Sequence, residues 1–187
     1  MPQPLPDVTI GRFLERLATP EPGPGGGSIA ALTLAHAAGL VLMVARRSRE
    51  TWPEAGGVAA QAQAIQSRAL PLVDSDATAW VEALDALETR GTGLAAKLDR
   101  AAEVPLRIGE LAADLAELAA LAAERGEGTY RGDAAAAALF ADAAARVAEK
   151  LVAVNLTMTP TDGRRAVARD NAAAAAAWAA RALETGP

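Results

Sequence analysis

The chain has 187 residues, a formal net charge of −5 and no cysteine, a length that suits one domain with a sizeable core better than two. No basic stripe is left for nucleic acid, and the absence of thiols excludes disulfides, thiolate catalysis and cysteine-ligated metals. Alanine fills 50 positions while aromatic residues make up 3%, so a core built here has little side-chain bulk and must bring helix backbones close together.

Met1 to Pro6 lacks the basic segment and apolar run of a signal peptide, and charges break the alanine-rich runs before the ~20 residues that a membrane helix needs. A cytoplasmic protein without membrane contact is therefore expected. Residues 1–8 carry three prolines and read as an extended lead-in. Thr9 caps a short helix with Ile10, Phe13, Leu14 and Leu17 on its apolar face. Thr19 to Gly27 is too rich in proline and glycine for regular structure. A helix then runs from Ser28 to about Glu50, its stripe formed by Ile29, Leu32, His36, Leu40 and Met43.

After a break at Trp52 to Gly57, a long helix spans about Val58 to Thr89. Its inward positions read as Ile65, Ala69, Leu72, Asp76, Trp80, Ala83 and Leu87. A turn at Gly91 and Gly93 leads to a helix over Leu94 to Glu124, which Pro105 should kink or split. Beyond the turn at Gly126 to Gly132, a fifth helix covers Asp133 to Met158, with Phe140, Val147, Leu151, Val154 and Met158 inward. Pro160 ends it, and a last helix runs from Asp162 to Leu183. No segment alternates with period two, so the fold class is all-α: a compact bundle of about six mostly antiparallel helices forming one domain over 1–187.

Three features could carry chemistry. The loop Pro22-Gly23-Pro24-Gly25-Gly26-Gly27-Ser28 is the first. Its glycines permit unusual backbone angles and close approach of a ligand, and they sit directly before a helix, whose N-terminus attracts an anion. The plainer reading is a flexible connector with Ser28 as an ordinary N-cap. No Gly-Lys-Ser/Thr follows, so it is not a phosphate-binding Walker loop.

Asp76 is the second, a carboxylate on the stripe that should face the core. A buried carboxyl is kept only if it is paired or lines a cavity, and desolvation raises its pKa toward a useful acid–base range. Its neighbour Asp74 should be solvated. The third is the pair of polar residues on the fifth helix: Asp133, an N-cap or a ligand group, and Asn155, which interrupts an apolar run and can bond a buried partner or a ligand. His36 reads as a satisfied core histidine. With one histidine and no cysteine there is no zinc constellation, and no metal site is expected. The pairs Arg46-Arg47 and Arg164-Arg165 read as solvated, with either able to meet a carboxylated ligand.

Several of these residues together resemble the cyclodeaminase/cyclohydrolase family. The resemblance is carried by Phe13-Leu14 with Leu17-Ala18, by Pro22 to Ser28, and by Ala30-Ala31 and Met43-Val44. It continues at Asp74-Ser75-Asp76-Ala77 with Trp80, at Gly132-Asp133-Ala134 and at Val154-Asn155-Leu156, in the family's order over about 150 residues.

The resemblance implies a homodimeric helical enzyme of one-carbon metabolism acting on a tetrahydrofolate derivative, with no other cofactor. It would be either a formiminotetrahydrofolate cyclodeaminase or a methenyltetrahydrofolate cyclohydrolase. Asp76 would be catalytic, and Gly25, Gly26, Gly27, Ser28, Asp133 and Asn155 would bind substrate. A non-catalytic folate-binding or scaffolding protein of the same fold is the alternative.

Overall fold

The computed structural model describes residues 3–89 and 93–185, and among these there are six α-helices and no strand. They are α1 (Ile10–Leu17), α2 (Gly26–Arg47), α3 (Ala55–Glu88), α4 (Leu94–Arg125), α5 (Arg131–Asn155) and α6 (Arg164–Glu184). Short connections fold the long helices back on one another, and α4 packs against α5, α6, α3 and α2. Buried residues from all six helices join in one main apolar cluster. The all-α bundle expected from the sequence is the observed architecture.

Alanine decides which faces go inward. On α5 the buried side chains are Ala134, Ala137, Ala138, Ala141, Ala144, Ala145, Ala148 and Val152. The large residues expected inside are outside: Phe140, Val147, Val154 and Met158 are exposed and Leu151 is half-buried. Helices meeting through methyl groups approach closely enough for backbone to touch backbone, and those many short contacts replace the interlocking of large side chains. A wide stripe of valine and phenylalanine would hold the helices apart.

The same rule corrects the other stripes. On α2 the buried positions include Ala31, Leu34, Ala35, Ala38 and Val41, while Ile29, Leu32, Leu40 and Met43 are half-buried at the flanks. His36 is exposed, with Nδ1 2.7 Å from the Leu32 carbonyl of its own helix, so it is not a core histidine. On α3, Ile65, Ala69 and Ala83 are buried as expected, but Trp80 and Leu87 are exposed. α6 buries Ala168, Ala172, Ala175, Ala179 and Ala182, an alanine seam at four- and three-residue spacing.

Further departures concern the ends and breaks. The lead-in is not fully extended: Leu5–Asp7 forms a 3-10 turn, and Leu5 is buried. The Leu5 amide donates to Asp74 Oδ1 at 2.9 Å, so Asp74 is half-buried and bonded rather than solvated. Pro105 does not split its helix, which runs unbroken from Leu94 to Arg125, and α3 likewise carries Pro71 within it.

Arg164 is half-buried between Asp99 and Asp162 and ties the start of α6 to α4, while Arg165 donates to the carbonyls of Ala153 and Leu156 and ties it to the end of α5. The expectation for apolar runs also needs correcting. α2 is free of charged residues from Gly26 to Ala45 and is long and apolar enough to cross a membrane, though most of it is buried inside this bundle.

Candidate functional site

α2 starts two residues earlier than the sequence suggests, at Gly26, with Gly25 as N-cap in an extended conformation (φ −131°, ψ −154°). None of the three consecutive glycines has a positive φ. Their purpose is space. A β-carbon on Gly27 would lie 1.9 Å from Asp76 Oδ1 and 2.4 Å from its carboxyl carbon. Asp76, from the middle of α3, therefore rests against bare backbone in the first turn of α2. Gly25 and Gly26 have nothing within 4 Å of where a β-carbon would stand, so this stretch of main chain is open.

Ser28 follows directly and is fully buried. Its hydroxyl lies 2.9 Å from the Val73 carbonyl and 3.1 Å from Asp76 Oδ2. A hydroxyl has one hydrogen, so it cannot donate fully to both. When Asp76 is protonated, the conflict disappears: the acid donates to Ser28 and Ser28 donates to Val73. Ser28 is thus neither an N-cap nor open to a ligand; it orients the carboxyl.

Burial raises the Asp76 pKa above the ordinary carboxylate value, and hydrogen bonds from the Ser28 hydroxyl and amide pull it part of the way back. The carboxyl group at this helix N-terminus is supplied by the protein itself.

Around Asp76 lies a cavity of about 240 Å³. Gly25, Gly26 and Gly27 form one wall, Asp76 and Trp80 another, and Asn155 closes it from the end of α5 with Leu151, Val154 and Ala101. Among the described residues, Asp76 is its one titratable lining group. Asn155 Nδ2 donates to the Ala101 carbonyl at 2.6 Å. Asn155 also borders a second cavity of about 370 Å³, lined by Leu98, Leu156, Met158 and Arg164 among others. A larger groove of about 510 Å³, with Arg68, Asp114 and Glu117, lies elsewhere between α3 and α4 and does not include Asp76.

Five of the expected site residues, Gly25, Gly26, Gly27, Asp76 and Asn155, thus line one cavity, and Ser28 lies behind it. Asp133 does not join them. It stands in the first turn of α5, 22 residues from Asn155 on the same helix, roughly 33 Å away at 1.5 Å per residue. Its charge there favours the positive end of the helix dipole, while the N-cap position belongs to Tyr130.

Helical periodicity assigns Trp80, Leu151 and Val154 to the core and so does not reveal them as cavity walls. The available signal is their spacing: Leu151 and Val154 stand four and one residues before Asn155, and Trp80 stands four after Asp76.

The family model for formiminotransferase-cyclodeaminase matches residues 9–177. The fold is similar to the crystal structure of formiminotetrahydrofolate cyclodeaminase from Thermotoga maritima, with a TM-score of 0.89 and 22% sequence identity. That similarity covers 97% of this chain and 96% of the other. Among curated proteins no match was found. Since the family model spans most of its length, including the glycine turn, Asp76 and Asn155, the chain belongs to the formiminotransferase-cyclodeaminase family.

Proposed function

We propose that the chain is a cyclodeaminase acting on a tetrahydrofolate that carries a formimino group on N5. The observation that carries this reading is the cavity itself: one desolvated carboxyl, Asp76, faces open backbone at Gly25 and Gly26 with an aromatic wall at Trp80. In the reaction N10 of the folate attacks the formimino carbon, and a C–N bond forms to give a tetrahedral centre. The bond to the terminal nitrogen then breaks, ammonia leaves, and the methenyl ring remains.

The formimino group is a basic amidine that reacts as its cation, with two hydrogens already on the terminal nitrogen. The third that ammonia needs is the proton lost from N10, which has to reach that departing nitrogen. Asp76 suits that transfer, accepting the proton and returning it, a role typically worth ~10²–10⁴-fold in rate. A carboxyl whose pKa burial has raised holds a proton more readily than an ordinary carboxylate, which suits the return half of the exchange. Gly25 and Gly26 would receive the edge of the pterin against their backbone. The elongated remainder of the substrate would cross Asn155 toward the second cavity, which shares that residue.

A dimer fits the same reading. Phe140, Val147, Val154 and Met158 leave apolar surface along α5 and just beyond it, continuous at Val154 with the cavity wall. A second copy of the chain paired across a two-fold axis would cover it.

The test is an ultraviolet assay of methenyl-tetrahydrofolate formation from the formimino substrate, with ammonia measured alongside. Appearance of both products supports the reading. Hydrolysis of the methenyl substrate alone would assign the cyclohydrolase reaction instead, and thermal stabilisation by folate without turnover would assign binding only.

A further inference from the structure

We infer that Pro105 is a positioning residue for this cavity. Lacking an amide hydrogen, it leaves the Ala101 carbonyl to Asn155, and so aims Asn155 Oδ1 at a substrate N–H. The inference rests on the reading of the cavity as the substrate site.

In an α-helix the amide of residue 105 would donate to the carbonyl of residue 101. Position 105 is proline inside an unbroken helix, so that bond cannot form. Pro105 is fully buried and Ala101 is 5% exposed, which leaves the freed carbonyl little access to water. Its partner comes from another helix: Asn155, the last residue of α5, donates through Nδ2 at 2.6 Å.

Only the nitrogen of the side-chain amide can donate to a carbonyl, so this bond settles which way the amide faces. Asn155 Oδ1, fixed in the same plane, receives no hydrogen bond among the described residues and belongs to a side chain lining the cavity.

The two polar side chains of the cavity then divide the work. Asp76 exchanges a proton. Asn155 Oδ1 cannot titrate, so it accepts an N–H without removing the hydrogen. Both the pterin and the formimino group carry N–H donors. Were the Ala101 carbonyl also bonded within its own helix, Asn155 would have to share that oxygen with a helix amide, and the weaker hold would leave its amide freer to turn a donor where the substrate needs an acceptor. The proline is thus a helix-breaking residue retained for the carbonyl it frees.

The experiment compares Pro105→Ala, Asn155→Ala and the double variant, reading kcat and KM separately, together with the side-chain amide signals of Asn155 by NMR. Pro105→Ala restores the helix bond, so KM is expected to rise at least fivefold with kcat changed less. The double variant should be no worse than Asn155→Ala alone, since both act through one group. Additive losses, or an unchanged KM, would overturn the inference.

The wild-type protein supplies a measurement independent of turnover and of any variant's folding. One Asn155 side-chain hydrogen should exchange slowly with solvent; fast exchange of both would overturn the Ala101 bond. A slow-exchanging hydrogen in a protein that turns over no folate would uphold the positioning and reject the proposed function.

Discussion

Gly27→Ala separates catalysis from folding sharply, because the two respond in opposite directions. Gly27 has ordinary helical geometry in the first turn of α2, so alanine costs nothing in backbone conformation and gains ~0.5–1 kcal/mol of helix stability. The added carbon, however, would stand 1.9 Å from Asp76 Oδ1, where ordinary contact begins near 3.4 Å, so the carboxyl must retreat by roughly 1.5 Å. It can do so by rotating toward the cavity, losing the bond from Ser28.

Misplacement of a reacting group by ~1 Å can cost ~10²-fold, and we expect a loss of at least that order in kcat with a melting temperature within a few degrees of wild type. The methenyl-tetrahydrofolate assay and a thermal melt of the same preparation measure both. Turnover within twofold of wild type would refute the reasoning, and a collapsed fold would equally refute the claim that the cost falls on the carboxyl. In an Asp76→Ala background the obstacle is gone, so Gly27→Ala should then stabilise the helix and change turnover no further.

Gly26→Ala meets open space, so the fold should be retained; a rise in KM is expected as the methyl intrudes on the substrate, and an unchanged KM would show that nothing approaches this backbone. Asp76→Asn should lower kcat at least tenfold without destabilising the protein at neutral pH. The sign follows from the raised carboxyl pKa. The native state binds the proton more tightly than the unfolded chain, so wild type loses stability as pH rises from the ordinary carboxylate value through the raised one. The substituted asparagine does not titrate, so melts from pH 4 to 7 should show the variant gaining on wild type as pH rises; a constant difference would count against a desolvated acid. Sedimentation at micromolar concentration should give a dimer, and a monomer would leave the exposed face of α5 without the occupant proposed for it.

Much of this architecture is written in the chain, though not every layer of it. Helix number and approximate ends are legible because proline, glycine and threonine punctuate a sequence with helical periodicity throughout; Thr9, for instance, accepts from the Arg12 amide as a cap should. Facing is not legible by the usual rule. Scoring large apolar residues as inward turns α5 the wrong way, because the close contacts are made by alanine, and a rule weighted by hydrophobic bulk undervalues the methyl group.

The cavity is half legible. Asp76 and the glycines stand out as a charge on an apolar stripe and a run of bare backbone. That Gly27 exists to admit Asp76, and Pro105 to free Ala101, depends on contacts between helices far apart in sequence. No local pattern carries those contacts. Asp133 shares α5 with Asn155 but stands roughly 33 Å along it, a separation that the order of the family's motifs does not reveal.

The alanine seams also set how this protein fails under mutation. Most domains are wounded by lost volume, since truncating a leucine or phenylalanine opens a hole. Here alanine fills most of the interior, and side chains large enough to leave one, such as Leu34, Ile108 and Leu115, are the minority. The hazard is enlargement: at Ala172, Ala175 or Ala179, even valine has no room unless two helices part, and overpacking of that kind costs ~1–3 kcal/mol. Drift along these seams is therefore confined to exchanges among the smallest residues, while bulk is free to change on the outer face, until a partner covers it.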